Sequence, residues 1–191
     1  MIVVKLGGSL YSSELLQVWV DAIASLNHHE IIIVPGGGPF ADQVRSASND
    51  WKIDDETAHD MAVLAMQQYG YLIASLNRDV LPLSSIDSLS FGSNKKAFIW
   101  FPYQDVIEKC DYPKSWHVTS DSIALWLANY ISAEKLCMIK SADIGQLTID
   151  KIGASDIVDN YFAQVRGNYK GEIEFYNVME SVKFIDALNH E

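Results

Sequence analysis

The chain opens with a short β-branched run, Ile2-Val-Val-Lys-Leu6, cut off by Gly7-Gly8. From Ser12 to Leu26 the apolar residues Leu15, Leu16, Trp19, Ile23 and Leu26 follow at helical spacing. The segment therefore reads as strand, glycine turn, helix. The pattern repeats at once: Ile31-Ile-Ile-Val34 leads into Pro35-Gly-Gly-Gly-Pro39, and Phe40, Val44 and Ala47 continue at helical spacing. Two consecutive βα units predict a parallel sheet. Between Asp54 and Asn77, Ala58, Met61, Ala62, Ala65, Tyr69, Leu72 and Ile73 share one face of the longest expected helix. Asp54, Asp55 and Glu56 stand where acidic side chains suit its N-terminus.

Further along, Lys96 to Phe101 reads as a buried strand, Thr119 to Ile131 as a helix and Leu136 to Lys140 as another strand. Ile173 to Tyr176 forms a late strand, and Val178 to Leu188 a closing helix. Ser84 to Asn94, rich in Ser and Asp, is the candidate long surface loop, either a lid or a plain solvated connection. No fixed-period repeat, low-complexity tract or linker divides the chain, so residues 1–191 are expected to form a single domain.

Composition narrows the partners. With 25 acidic against 14 basic side chains, the net charge of −11 opposes a nucleic-acid backbone, and the basic residues do not cluster. A small anion remains compatible, because a lysine and backbone N–H groups make a pocket locally positive on an acidic surface. Met1 to Leu6 lacks the pattern of a signal peptide, and no run approaches the ~20 apolar residues of a membrane span. The expectation is a cytoplasmic protein with no membrane partner. Cys110 and Cys137, far apart in sequence, read as reduced thiols rather than a disulfide or metal site.

The candidate chemistry collects at strand ends, where parallel sheets bind ligands. Lys5-Leu-Gly-Gly-Ser9 follows the first strand: Gly7, Gly8 and Ser9 offer backbone N–H groups to phosphate, and Lys5 adds a point charge. Gly36, Gly37 and Gly38 offer a second cradle after the next strand. In isolation, Gly36 to Ala41 also satisfies the dinucleotide fingerprint G-x-G-x-x-A, with Glu56 roughly 20 residues on, which makes a dehydrogenase a rival reading. Against it, the motif sits on the second βα unit, Pro39 disturbs the turn and the Lys5 loop is left unexplained. Thr119, Ser120 and Asp121 open a helix; capping alone explains the first two, while Asp121 could hold the Lys5 ammonium in place. Lys140-Ser-Ala-Asp143 ends a further strand, where polar groups could meet a nucleotide. His59 and His117 are each either packing and surface residues or substrate contacts. No Cys/His spacing resembles a zinc site.

Taken in order, Lys5-Leu-Gly-Gly-Ser9, Gly36-Gly-Gly38 and Ser120-Asp-Ser-Ile-Ala124 resemble the amino-acid kinase family of acetylglutamate, uridylate, aspartate and carbamate kinases. The resemblance implies a three-layer αβα sandwich with a mainly parallel, carbamate kinase-like sheet, and ATP with Mg²⁺ as cofactors. It implies that Lys5 and Gly8 contact the transferring phosphoryl group, that Asp121 organises the lysine and that Gly37 and Gly38 line the acceptor side. Lys140, Ser141, Asp143 and Ile144 would face the nucleotide.

Pro35 to Arg45, Ala58 to Ala62, Ala65-Met66, Tyr69-Gly70 and Trp116 to Ala124 resemble, more narrowly, the branch of methanofuran biosynthesis that phosphorylates aminomethyl-furanmethyl phosphate to its diphosphate. On that resemblance Asp42, Arg45, Asp55, His59 and Ser120 would surround the acceptor. Apolar helices with several aromatic residues, and the habit of the family, lead to the expectation of a homodimer or larger assembly. The family's late Gly-Met-x-x-Lys segment, with its second lysine, has no counterpart in this sequence; Lys140 or Lys170 is the candidate substitute. That departure keeps open a non-catalytic anion- or nucleotide-binding protein, for storage or sensing, as the alternative function.

Overall fold

Strand β1, Ile2–Leu6, is β-branched at three of its five positions and buried along its whole length, as a strand covered on both faces should be. The computed structural model describes residues 1–26, 28–89, 96–142 and 157–190. After β1 a 3₁₀ turn over Gly8–Ser12 leads into α1, Leu15–Ser25. Strand β2, Ile31–Pro35, is followed by α2, Gly38–Trp51, and by α3, Asp55–Leu76. Asp54 caps α3 by accepting the Thr57 N–H, as its acidic start led one to expect.

Strands β3, Val80–Leu83, and β4, Ala97–Trp100, come next, then helix α4, Tyr103–Lys109. The remaining elements are α5, Ser120–Tyr130; β5, Lys135–Lys140; α6, Asn160–Val165; β6, Glu172–Asn177; and α7, Ser181–Asn189. Three of these escape periodicity because they are short. Strand β3 is a four-residue run containing Pro82, tolerated because β3 is an edge strand. Helices α4 and α6 span seven and six residues. Of the expected surface loop, Ser84 to Leu89 holds a 3₁₀ turn at Ile86–Ser88, and residues 90–95 lie outside the described part.

The six strands form one sheet in the order β3-β4-β2-β1-β5-β6, every described pair parallel. Side-chain alternation sends Val3, Ile32, Val34, Leu136 and Met138 to one face, against α5 and α6. Val4, Leu6, Ile33, Cys137 and Ile139 go to the other, against Trp19 and Ile23 of α1 and Phe184 and Leu188 of α7. Each such fully buried aliphatic side chain contributes roughly 1.5–3 kcal/mol, so these two cores hold the three layers together. No helix among the described residues is long and apolar enough to cross a membrane. Burial pushes the Cys110 thiol up to about 11.

Candidate active site

The sheet presents its carboxyl ends along one edge, and Lys5, Asp121 and Lys140 gather there. Lys5 is the fourth residue of β1, so alternation turns it to the α5 face. Its ammonium, 5 % exposed, lies 2.7 Å from Asp121 Oδ1. Asp121 is in the first turn of α5, where a carboxylate also favours the helix dipole. Lys140, the last residue of β5, reaches the second oxygen of the same carboxylate, Nζ to Oδ2 2.5 Å. Burial pushes the Asp121 carboxyl up, but the Lys5 and Lys140 ammoniums outweigh it and hold its pKa below the ordinary value.

The two glycine loops interlock. A Cβ at Gly8 would stand 2.4 Å from Gly38 N, and one at Gly36 would stand 2.4 Å from Gly8 N, so neither position has room for a side chain. Gly38 also takes a left-handed φ of +54°. Gly36, expected in the phosphate cradle, gives its N–H to Leu6 O at 2.8 Å, which leaves Gly8, Gly37 and Gly38 as the glycines that line the cleft. Gly7 is buried beside the Lys5 ammonium. Ser9 Oγ donates to Ser141 Oγ at 3.0 Å, tying the β1 loop to the end of β5.

Beside these loops lies a cleft of about 430 Å³, the size of a small metabolite's site. Of the residues the resemblance put around an acceptor, Asp42, Arg45, His59 and Ser120 line it. Asp55 does not: it is exposed at the first residue of α3, one helical turn ahead of His59, and lies outside the lining. His117 is exposed and outside the lining, whereas its neighbour Trp116 forms a wall. Asp143 and Ile144 lie outside the described residues. Lys170, one of the two candidate second lysines, is exposed just before β6, at the amino ends of the strands and away from this edge.

The cleft is lined by both polar and apolar side chains. The Arg45 guanidinium sits 5.1 Å above the Trp116 ring and bonds Asp42 Oδ1 at 2.8 Å. Val63, Met66 and Ile123 supply apolar wall. His59 is buried, and neither ring nitrogen has a hydrogen-bond partner among the described residues. Asp60 Oδ1, 3.7 Å from His59 Nδ1, is too distant for a hydrogen bond. Burial lowers the His59 pKa, only partly opposed by Asp60, so the ring is neutral and offers one donor and one acceptor.

Sequence reading missed Asp159. Its carboxylate accepts from the Thr119 N–H and Oγ1, from the Ser122 N–H and Oγ, and from the Phe162 N–H. It thereby caps α6 and braces the start of α5 that carries Asp121. The Asp-Asn-Tyr-Phe stretch signals a cap, but its second client is 37 to 40 residues upstream.

Residues 1–144 match the family model described as the amino acid kinase family. The chain is 26% identical to the [5-(aminomethyl)furan-3-yl]methyl phosphate kinase of Methanocaldococcus jannaschii over 200 residues, which cover 98% of this chain and 93% of that one. Its fold is similar to the crystal structure of uridylate kinase from Archaeoglobus fulgidus, with a TM-score of 0.71 at 15% identity, covering 100% and 96% of the two chains. An isopentenyl phosphate kinase structure superposes with a TM-score of 0.61 at 14% identity, covering 100% and 97%. By the family model that spans residues 1–144 of its 191, this chain belongs to the amino acid kinase family, and it is a phosphotransferase.

Proposed function

We propose that the protein transfers the γ-phosphoryl group of ATP to the phosphate of a small acceptor, and that the acceptor is aminomethyl-furanmethyl phosphate, which becomes the diphosphate. The observation that carries this reading is the Lys5–Asp121 pair at the carboxyl end of β1, directly before a glycine loop that lines the cleft. The relative of 26% identity, named for that phosphate kinase activity, supports the choice of acceptor.

A phosphate acceptor is already an anion at neutral pH, with its second pKa near ~6, so its attacking oxygen needs no general base. Charge is the difficulty: a polyphosphate and a phosphomonoester must approach each other in line. The protein's part is positioning and neutralisation. Lys5 balances the charge that develops on the transferring group, Asp121 fixes the direction of the Lys5 ammonium, and the N–H groups of Gly7, Gly8 and Ser9 hold phosphate oxygens. Gly37, Gly38 and Arg45 hold the acceptor phosphate, while Trp116, Met66 and Val63 pack against its ring. His59 and Asp42 offer polar contacts to the rest of the acceptor, and Ser120 a hydroxyl. Lys140 and Ser141 stand on the nucleotide side. Among the described residues no three His, Cys, Asp or Glu side chains could hold a metal ion together. Mg²⁺ accompanies ATP through the phosphate oxygens, and no step here depends on a protein ligand to it.

The test is transfer of label from γ-labelled ATP to a panel comprising aminomethyl-furanmethyl phosphate, UMP, isopentenyl phosphate and acetylglutamate. Labelled furan diphosphate is the expected product. Transfer to another member of the panel corrects the acceptor and keeps the kinase. ATP binding without transfer to any acceptor overturns the reading in favour of an anion- or nucleotide-binding protein.

A further inference from the structure

One wall of the cleft holds a hydrogen-bonding group that the described protein leaves unused. Helix α3 lines the cleft with His59, Ala62, Val63 and Met66, spaced i, i+3, i+4 and i+7 along a single stripe. His59 is the polar member of that stripe, 5 % exposed, and both of its ring nitrogens lack a hydrogen-bond partner among the described residues. Asp60 stands next to it, outside the lining. Its Oδ2 accepts from Lys114 Nζ at 3.0 Å, whereas its Oδ1 is buried without a hydrogen-bond partner, 3.7 Å from His59 Nδ1. Lys114 comes from the segment between α4 and α5 that also supplies Ser115 and Trp116 to the cleft, and it reaches Glu56 Oε1 at 3.5 Å. The carboxylate is thus held on its outer oxygen and presents the other to the edge of the imidazole.

That placement decides where the hydrogen of the neutral ring sits. A lone pair on Nδ1 would face a buried carboxylate oxygen at 3.7 Å, a repulsion little screened away from water, whereas a hydrogen there is attracted. Among the described residues, Asp60 on α3 and Lys114 ahead of α5 are the charged groups facing the ring, and Lys114 lies on the far oxygen of Asp60. Nδ1 therefore carries the hydrogen and Nε2 a lone pair. A carboxylate behind an imidazole also raises the basicity of the other nitrogen, as it does in metal-bound histidines.

We propose that Asp60 is a positioning residue for acceptor specificity: it holds His59 as the Nδ1–H tautomer, so that Nε2 accepts a hydrogen bond from a cationic donor, the aminomethyl group of the acceptor. This rests on the kinase reading and deepens it, by assigning the recognition of the acceptor's other end, away from its phosphate. The glycine loops and Arg45 suit the anionic end, which a lone pair would repel. An aliphatic amine, with a pKa of about 10 like that of lysine, arrives as an ammonium. Beside it, Ala62, Val63 and Met66 continue the stripe as apolar surface for the ring.

The test begins on the free protein, independent of turnover. Long-range proton–nitrogen correlation spectra of the isotope-labelled protein at neutral pH, with His59 assigned from the signals lost in His59→Gln, should show Nδ1 protonated and Nε2 not. In Asp60→Asn, which keeps an acceptor for Lys114 and so should fold, the two tautomers should mix. A wild-type ring protonated at Nε2, or a tautomer unchanged in Asp60→Asn, overturns the proposal. Specificity is then read by comparing aminomethyl-furanmethyl phosphate with its hydroxymethyl and methyl counterparts. Wild type should favour the amine over the methyl compound in kcat/KM on the order of 10- to 100-fold, with the hydroxymethyl compound between them. Asp60→Asn should lose most of that preference through a higher KM for the amine, with kcat and the KM for ATP little changed. An equal preference in the two proteins overturns the proposal and leaves the kinase reading standing. An Asp60→Asn protein that loses stability yet keeps its tautomer and its preference assigns Asp60 to structure and likewise overturns it. If wild type phosphorylates none of the three compounds, the kinase reading fails, and their calorimetric affinities for the two proteins decide instead: no preference for the amine, or one that Asp60→Asn keeps, overturns the proposal.

Discussion

At the scale of single residues, the functional reading turns on charges that are buried yet not self-sufficient. Lys5 is 4 % exposed overall and paired with Asp121, so an isosteric neutral residue tests its chemistry with little structural consequence. Lys5→Met should lower kcat on the order of 10²- to 10³-fold. Its unfolding temperature should stay near wild type, because Asp121 retains Lys140; unchanged turnover would remove Lys5 from the reaction. His59 offers a second test. Its pKa is lowered from 6.5 by burial, so below 6.5 the unfolded chain binds a proton that the folded chain resists. Stability from this group is complete above 6.5 and is lost as pH falls from there toward the lowered folded value. Melting curves of wild type between pH 7.5 and 5.5 should therefore slope downward more steeply than those of His59→Gln, and equal slopes would mean that the ring is hydrated and charged in the fold.

At the scale of elements, the site is held by helix starts and strand ends rather than by whole helices. Helix α5 presents Asp121 from its first turn, and that turn is braced by Asp159, a residue just before another helix. Removing Asp159 leaves the N–H groups of Thr119, Ser122 and Phe162 without their acceptor. Asp159→Ala should cost about 2–3 kcal/mol, seen as a lower urea midpoint, and should lower kcat/KM more than KM for ATP because Asp121 loses its footing. An Asp159→Ala protein as stable as wild type would show that solvent satisfies those groups. Helical capping made Thr119 and Ser120 legible in the sequence. The partner of the cap was not, since nothing local connects residues 119–122 with 159.

At the scale of the whole molecule, the interlocked glycine loops join the first two βα units at the point where both meet the ligand. An added Cβ at Gly8 meets the Gly38 backbone at 2.4 Å and 2.8 Å, whereas at Gly7 the nearest atom is Ile139 O at 3.3 Å. Gly8→Ala should thus cost about 1–3 kcal/mol by overpacking and depress kcat/KM well below Gly7→Ala, whose backbone conformation any residue can adopt. Equal effects of the two substitutions would mean that the loops part readily. Much of this architecture is legible in the chain itself, because strand and helix periodicities and strand-end glycines are local signals. They mark two successive βα units, a parallel sheet, two phosphate-sized turns and a lysine at the end of each of two strands. Alternation even puts Lys5 and Lys140 on determinate faces of their own strands. Strand order is another matter, because pairing between segments some 130 residues apart depends on how both faces of the sheet are covered, not on either segment. Only the tertiary structure set β1 beside β5, gave the two lysines a common carboxylate, spent the Gly36 N–H on Leu6 and left Asp55 outside the cleft lining.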